Sequence, residues 1–197
     1  MDFSKIPAGK NTPDEVYAII ENPKGGDPVK YEVDKDSGAM FVDRFLHTAM
    51  SYPGNYGFIP HTLSGDGDPV DILVIGDTAV MPLAVMNVRP IGVLIMEDEA
   101  GMDEKIIAVP ADDLLPAYKH IQSYEDLTEI RRDQIEHFFK HYKDLEPGKW
   151  VKDVSWGGPE KAKKMIEEGV ERAKQAKKDK KKRKAAKKKN KPKGPKR

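Results

Sequence analysis

Apolar positions in the first half of the chain fall in short runs rich in β-branched and aromatic residues, at 16–20, 29–33, 39–45, 70–75, 85–96 and 105–109. Such runs predict strands. Gly25-Gly26, Asp36-Ser37-Gly38, Pro53-Gly54-Asn55 and Glu99-Ala100-Gly101 punctuate them as turns. Separations of a few residues favour antiparallel pairing over helical crossovers, which points to a closed or nearly closed barrel. After Pro110 the period changes: Leu127, Ile130, Gln134, Ile135, Phe138, Tyr142 and Leu145 share one side of a helix over about 126–145. Its apolar face should cover the barrel. A second helix opens at Pro159 and carries a stripe of Ala162, Met165, Ile166, Val170 and Ala173. The expected class is therefore mainly β with two flanking C-terminal helices (α+β).

With 197 residues the chain can bury one substantial core. It has no cysteine, which excludes disulfides, zinc-thiolate sites and cysteine nucleophiles and is compatible with a reducing compartment. The start, Met1-Asp2-Phe3-Ser4-Lys5, lacks the apolar core of a signal peptide, and no apolar run approaches the roughly 20 residues of a membrane span. A soluble, cytoplasmic protein is expected. The net charge of +1 conceals a division: residues 171–197 hold 16 Lys or Arg against Glu171 and Asp179, a local +14, which leaves −13 on residues 1–170. An acidic body concentrates cations, and a basic tail attracts polyanions.

Chemistry concentrates in Ser64-Gly65-Asp66-Gly67-Asp68-Pro69-Val70-Asp71. Three carboxylates in six residues repel one another unless a hard cation such as Mg²⁺ or Mn²⁺ is shared among them. An ordinary acidic turn is the alternative, because Asp and Gly are also turn residues. A calcium EF-hand fails: counted from Asp66, the fifth, sixth and twelfth positions are Val70, Asp71 and Asp77.

Further charged groups cluster in the same strand region. Glu21 ends the first strand, and Lys30 and Glu32 flank Tyr31 so that alternation points both to one face, toward substrate, metal or solvent. Arg44 offers a planar guanidinium for phosphate, or an ion pair with Asp43 or another acid. Tyr52 and Tyr56 surround a rigid turn, with Tyr52 the better candidate for the core. A second acidic turn carries Asp98 and Asp103 with Lys105, which offer carboxylates to cations and an ammonium to an anion. Tyr142 and Lys143 add a phenol and a cation near a helix end, where a lysine also complements the helix dipole. His137 and His141 stand one helical turn apart without an HExxH pattern, which favours packing or subunit contact over zinc. Acids, lysines, an arginine and phenols around one opening suit a small, highly charged phosphate ester or anhydride bound through divalent metals.

On these residues the chain resembles the soluble, Mg²⁺-dependent inorganic pyrophosphatases of bacterial type (family I). The match rests on Asp66-Gly67-Asp68-Pro69-Val70-Asp71. Support comes from Glu21, Lys30-Tyr31-Glu32, Phe41-Val42-Asp43-Arg44, Tyr52-Pro53-Gly54-Asn55-Tyr56-Gly57, Asp98-Glu99-Ala100-Gly101, Asp103, Lys105, His137-Phe138-Phe139 and Tyr142-Lys143-Asp144-Leu145, between about residues 3 and 175. The resemblance implies a five-stranded OB-like closed barrel and hydrolysis of pyrophosphate to two orthophosphates by metal-activated hydroxide. It implies Asp66, Asp71 and Asp103 as ligands of a tightly held metal, with Asp71 bridging to a second. Asp68 becomes the general base. Asp98, Asp103, Glu21 and Glu32 take metals arriving with substrate, and Lys30, Arg44, Tyr56, Lys105, Tyr142 and Lys143 take the phosphates. The cofactor implied is Mg²⁺, with Mn²⁺ or other divalent cations as alternatives, and the assembly implied is a homohexamer with His137 and His141 at subunit contacts.

The expected division is a catalytic domain over 1–175 and a Lys-rich tail over 176–197, whose composition predicts disorder when free. Tethering to RNA, DNA or an anionic membrane, docking on the acidic body of a neighbouring subunit and a merely solvated extension are the roles open to it. Two other activities compete with the first: a metal-dependent nucleotide or polyphosphate hydrolase, and a nucleic-acid-binding barrel. The barrel segment's acidity, and aromatics not interleaved with Lys and Arg, weigh against the latter.

Overall fold

The computed structural model describes residues 2–35 and 37–189, the side chains of 184–189 apart. Met1, Asp36 of the expected turn, and the end of the tail with Pro192, Gly194 and Pro195 lie outside them. Eight strands and two α-helices are described: β1 (Val16–Asn22), β2 (Val29–Val33), β3 (Met40–Phe45), β4 (Asn55–Phe58), β5 (Asp71–Val74), β6 (Val85–Asp98), β7 (Gly101–Pro110), α1 (Glu129–His141), β8 (Val151–Gly157) and α2 (Pro159–Lys189).

The main sheet runs β1-β4-β5-β7-β6-β8, and β1 also pairs with β6; β2 and β3 form a separate two-stranded sheet. All pairings are antiparallel except β5 with β7, which is parallel. That exception corrects the antiparallel expectation. The chain between β5 and β7 contains the whole of β6, so β7 can return beside β5 in the same direction as its parallel neighbour.

Two strands escaped the pattern. In β4, Asn55-Tyr56-Gly57-Phe58 reads as a continuing turn, yet all four residues are buried. Gly57 is required there, since a Cβ would lie 1.9 Å from the carbonyl oxygen of Ile19 in the neighbouring β1. β8 has an irregular burial pattern and pairs along β6 at the edge of the sheet.

The sheet is apolar on both sides. One core gathers Tyr52, Tyr56, Leu73, Leu94, Met96 and Ile107 with Ile135, Phe138, Phe139 and Tyr142 of the α1 region. The other gathers Val16, Ala18, Ile20, Ile72, Val93 and Ile106 with Ala162 and Ile166 of α2. α1 is shorter than expected at both ends: Tyr124–Asp126 form a 3₁₀ turn capped by Ser123, while Ile130 and Leu145 are largely exposed and Gln134 is exposed. Of the expected α2 stripe, Ala162, Ile166 and Ala173 are buried and Met165 and Val170 half-buried. α2 continues to Lys189, where the composition beyond Ala176 predicts disorder. Lys, Ala and Arg are good helix formers, and extending an existing helix avoids the cost of nucleation.

Candidate active site

The acidic loop is pinned at both ends before it reaches β5. Thr62 Oγ1 donates to the Ile59 carbonyl at 2.6 Å and accepts from the Val70 N–H at 2.9 Å. Within the loop the Asp68 N–H donates to Asp66 Oδ1 at 2.9 Å, and Gly67 takes φ of 100°, a conformation that favours glycine. Asp66 and Asp68 thus project from a constrained turn, and Asp71 opens β5.

Register then assembles the centre. Asp71 stands opposite Lys105 across the parallel β5–β7 pair, and strand alternation puts Asp103 on the same face as Lys105. The buried Lys105 ammonium bridges the two acids: it pairs with Asp71 Oδ2 and lies 2.6 Å from Asp103 Oδ1. The Tyr56 hydroxyl donates to Asp71 Oδ2 at 2.6 Å. At the β6–β7 turn, Asp98 accepts from the Ala100 N–H at 2.8 Å and from Lys143 Nζ, just beyond α1, at 2.6 Å.

On the opposite wall, Asn22 accepts from the Tyr31 N–H at 2.7 Å and donates to its carbonyl at 3.0 Å, tying β2 to β1. Glu21 accepts from the Val33 N–H at 2.8 Å. Lys30 lies 2.9 Å from Asp43 and 3.6 Å from Glu32, and Arg44 Nη1 donates to Glu146 at 2.8 Å.

The residues that the resemblance assigns to metal, base and phosphate line one cavity of about 180 Å³: Glu21, Lys30, Glu32, Arg44, Tyr56, Asp66, Asp68, Asp71, Asp98, Asp103, Lys105, Tyr142 and Lys143. Tyr52 is in the core, stacked on Tyr56 with centroids 5.0 Å apart. His137 and His141 stand away from this cavity with rings 4.5 Å apart, and His141 Nδ1 is 2.7 Å from Asp144. His137 instead lines a second, more apolar cavity of about 650 Å³ with Tyr52 and Phe138.

Crowded carboxylates show in their proton affinities. Burial raises the Glu21 carboxyl to about 7, against the Val33 N–H and Lys35, which favour its charged form. Asp68 is raised by burial and by neighbouring Asp66, and Asp103 by burial despite Lys105. Burial works to lower the Lys105 pKa, but Asp71 and Asp103 outweigh it and the ammonium is held well above its ordinary range. At Asp98, burial is outweighed by the hydrogen bonds from Lys143 and Ala100, and its pKa falls.

Among the described residues no three acids or histidines are already gathered tightly enough to hold a metal ion. The donor set nevertheless fits a hard cation. Asp71 and Asp103 already converge on one positive charge, the ammonium, and Asp66 lines the same cavity.

Sequence reading missed Lys35 and Glu146. Lys35 lines the cavity with its ammonium 3.9 Å from Glu21 and 3.8 Å from Glu32. It lies past the end of β2, so strand alternation cannot assign it a face. Glu146 is linked to Arg44 only through the tertiary fold, across 102 positions of sequence.

A family model described as inorganic pyrophosphatase matches residues 18–174. The chain belongs to the inorganic pyrophosphatase family. Members similar to it include an inorganic pyrophosphatase of Mesorhizobium japonicum, 60% identical over 175 residues that cover 89% of this chain and 99% of that protein. One from Rhodospirillum rubrum is 61% identical over 170 residues, 86% of this chain and 95% of its own length. Among solved structures, the Thermus thermophilus inorganic pyrophosphatase superposes with a TM-score of 0.83 at 43% identity, covering 88% of this chain and 99% of that one. A structure from Anaplasma phagocytophilum, described as an inorganic phosphatase, gives 0.84 at 50% identity, covering 86% and 99%.

Proposed function

We infer that this protein hydrolyses inorganic pyrophosphate to two orthophosphates. The observation that carries the reading is one small cavity in which opposed rows of acids and bases meet, in a chain of the inorganic pyrophosphatase family. A volume of about 180 Å³ favours a small anion over a nucleotide.

Asp66, Asp71 and Asp103 would hold one divalent cation, and Asp98, Asp103, Glu21 and Glu32 further ones. Mg²⁺ is the cation proposed, with Mn²⁺ as an alternative, since carboxylates are hard donors. Bound there, such cations neutralise phosphate oxygens and acidify the attacking water. The chain's own groups do the rest. Lys30, Arg44, Lys105 and Lys143, with the hydroxyls of Tyr56 and Tyr142, fix the two phosphates by charge-assisted hydrogen bonds and offset charge growing on the leaving group. Burial keeps both phenols protonated and therefore able to donate. Asp68 takes the proton from the attacking water. Its raised proton affinity, from burial and from Asp66, suits a base that must accept a proton and then release it.

The same reading includes a five-stranded OB-like closed barrel, supported by β1 pairing with both β4 and β6, and a homohexameric assembly in the cytoplasm. No described helix is long and apolar enough to cross a membrane. The division into a catalytic domain over 1–175 and a tail over 176–197 belongs to it as well.

Orthophosphate release from pyrophosphate, ATP and tripolyphosphate across a Mg²⁺ titration tests the assignment. Pyrophosphate should be fastest, and Asp68→Asn should lower turnover by about 100-fold or more while folding and cation binding persist. ATP outpacing pyrophosphate would overturn the substrate, and unchanged turnover in the variant would overturn the base.

A further inference from the structure

The last part of α2 has no place in the body of the enzyme. The family match ends at residue 174, and 175 residues of this chain cover 99% of the Mesorhizobium relative. The last buried residue of α2 among those described is Ala173, and beyond it only Asp179 is even half-buried. Residues 177–189 hold ten Lys or Arg against Asp179 alone. At about 1.5 Å per residue this helix is roughly 20 Å long, which spaces its net charges about 2 Å apart along the axis. Duplex DNA presents one phosphate charge per about 1.7 Å of its own axis.

Few of these cations are used within the molecule. Lys177 Nζ lies 2.8 Å from His61 Nδ1. Among the described residues, Lys178, Lys180, Lys181, Lys182 and Arg183 form no ion pair. Repulsion between like charges one helical turn apart opposes this helix, and a polyanion would relieve it. A polyanion is repelled by the body, with −13 over residues 1–170, so attraction is confined to the end of α2.

We propose that α2 beyond Ala176 is a docking surface for the sugar–phosphate backbone of nucleic acid. A lipid surface is the poorer fit. A helix lying in a bilayer interface needs an apolar face, and the apolar residues of 177–189 are only Ala185 and Ala186. The surface reads charge spacing alone, so binding is indifferent to base sequence. Joining nucleoside triphosphates into nucleic acid releases pyrophosphate, and a hydrolase held on that polymer would meet its substrate where it forms. Only this last consequence rests on the proposed hydrolysis; docking does not.

The test uses the full chain and a variant with Lys180→Gln, Lys181→Gln, Lys182→Gln, Arg183→Gln and Lys184→Gln together, since Gln preserves helix propensity. Fluorescence anisotropy with labelled duplex DNA and duplex RNA is followed between about 50 and 200 mM salt. Sedimentation with phosphatidylserine vesicles is run alongside, and orthophosphate release is measured separately. The native chain should bind a duplex with affinity falling steeply as salt rises. The variant should reduce the slope of log K against log salt by about 4, with orthophosphate release unchanged. Binding to either duplex supports the proposal, and the stronger arm names the polymer. Absence of duplex binding at the lowest salt, equal binding by the variant, or tighter binding to vesicles than to both duplexes would each overturn it.

Discussion

Arg44 shows how much a single side chain here depends on a partner outside its own segment. Its Nη1 donates to Glu146 at 2.8 Å, while Arg44 Nε and Glu146 Oε1 are buried without a hydrogen-bond partner among the described residues. A guanidinium hydrogen-bonded to Glu146, with Asp43 Oδ2 3.5 Å from its Nε, keeps its remaining donors directed by that anchor. Glu146→Gln weakens the anchor without removing its bulk. Steady-state kinetics should show KM for pyrophosphate rising about 3- to 10-fold with a smaller change in kcat, the pattern of lost ground-state positioning. An unchanged KM would show that Arg44 needs no such anchor. That Arg44 would meet a phosphate or an acid was legible from its type, and the structure shows it paired with Asp43 and Glu146. Glu146 was not legible, because nothing local to either residue links them.

Helix α1 carries the next level of organisation. Its apolar side, Ile135, Phe138 and Phe139, packs into the core beside Tyr56, and its end delivers Tyr142 and Lys143 to the cavity. Its outer side is tied to β8: Glu136 accepts from Lys140 at 2.5 Å and from the Trp156 indole N–H at 3.1 Å. The Lys140 hydrogen bond first, then that of Trp156, holds the Glu136 pKa below its ordinary value against partial burial. A carboxyl with a depressed folded-state pKa contributes stability above its unfolded value, and loses that contribution as pH falls through the folded one. The pair is partly exposed, so the contribution is about 0.5 kcal/mol. Unfolding followed by Trp fluorescence should find Glu136→Gln less stable than the native chain by that amount near pH 7. The difference should close as pH falls through the depressed folded-state pKa of Glu136, and a gap that persisted in acid below it would refute the charged hydrogen bond. The 3.6-residue period revealed the buried stripe of α1, but it overran the ends. Ser123 caps a 3₁₀ turn instead of the helix, a choice settled by local hydrogen bonds that periodicity does not register.

At the scale of the whole molecule, the cavity is an electrostatic compromise. The Lys105 ammonium pairs with Asp71 and Asp103, and buried Glu21 and half-buried Asp103 hold protons more tightly than ordinary carboxyls. Anything that binds the folded state alone stabilises it by mass action. Addition of Mg²⁺ at 100 times its dissociation constant should add about 2.7 kcal/mol and raise Tm, and EDTA should reverse the rise. A Tm indifferent to both would argue against cation binding in this cavity. The docking surface on α2 belongs to the same scale, since it arises from separating a basic helix end from an acidic body.

The amino-acid sequence by itself determined the donor types, their order and the family, because carboxylates two and three residues apart beside Gly and Pro are covalent facts that survive any packing. It also determined two flanking helices and most strands through period. Only the tertiary structure decided that β7 lies parallel to β5, so that Asp71 faces Lys105, and that Gly57 lets β4 press against β1. It alone brought Arg44 to Glu146 and Lys35 to Glu21. Such contacts join residues far apart in sequence and are selected by packing and chain closure across the whole domain, for which no short stretch of residues carries a signal.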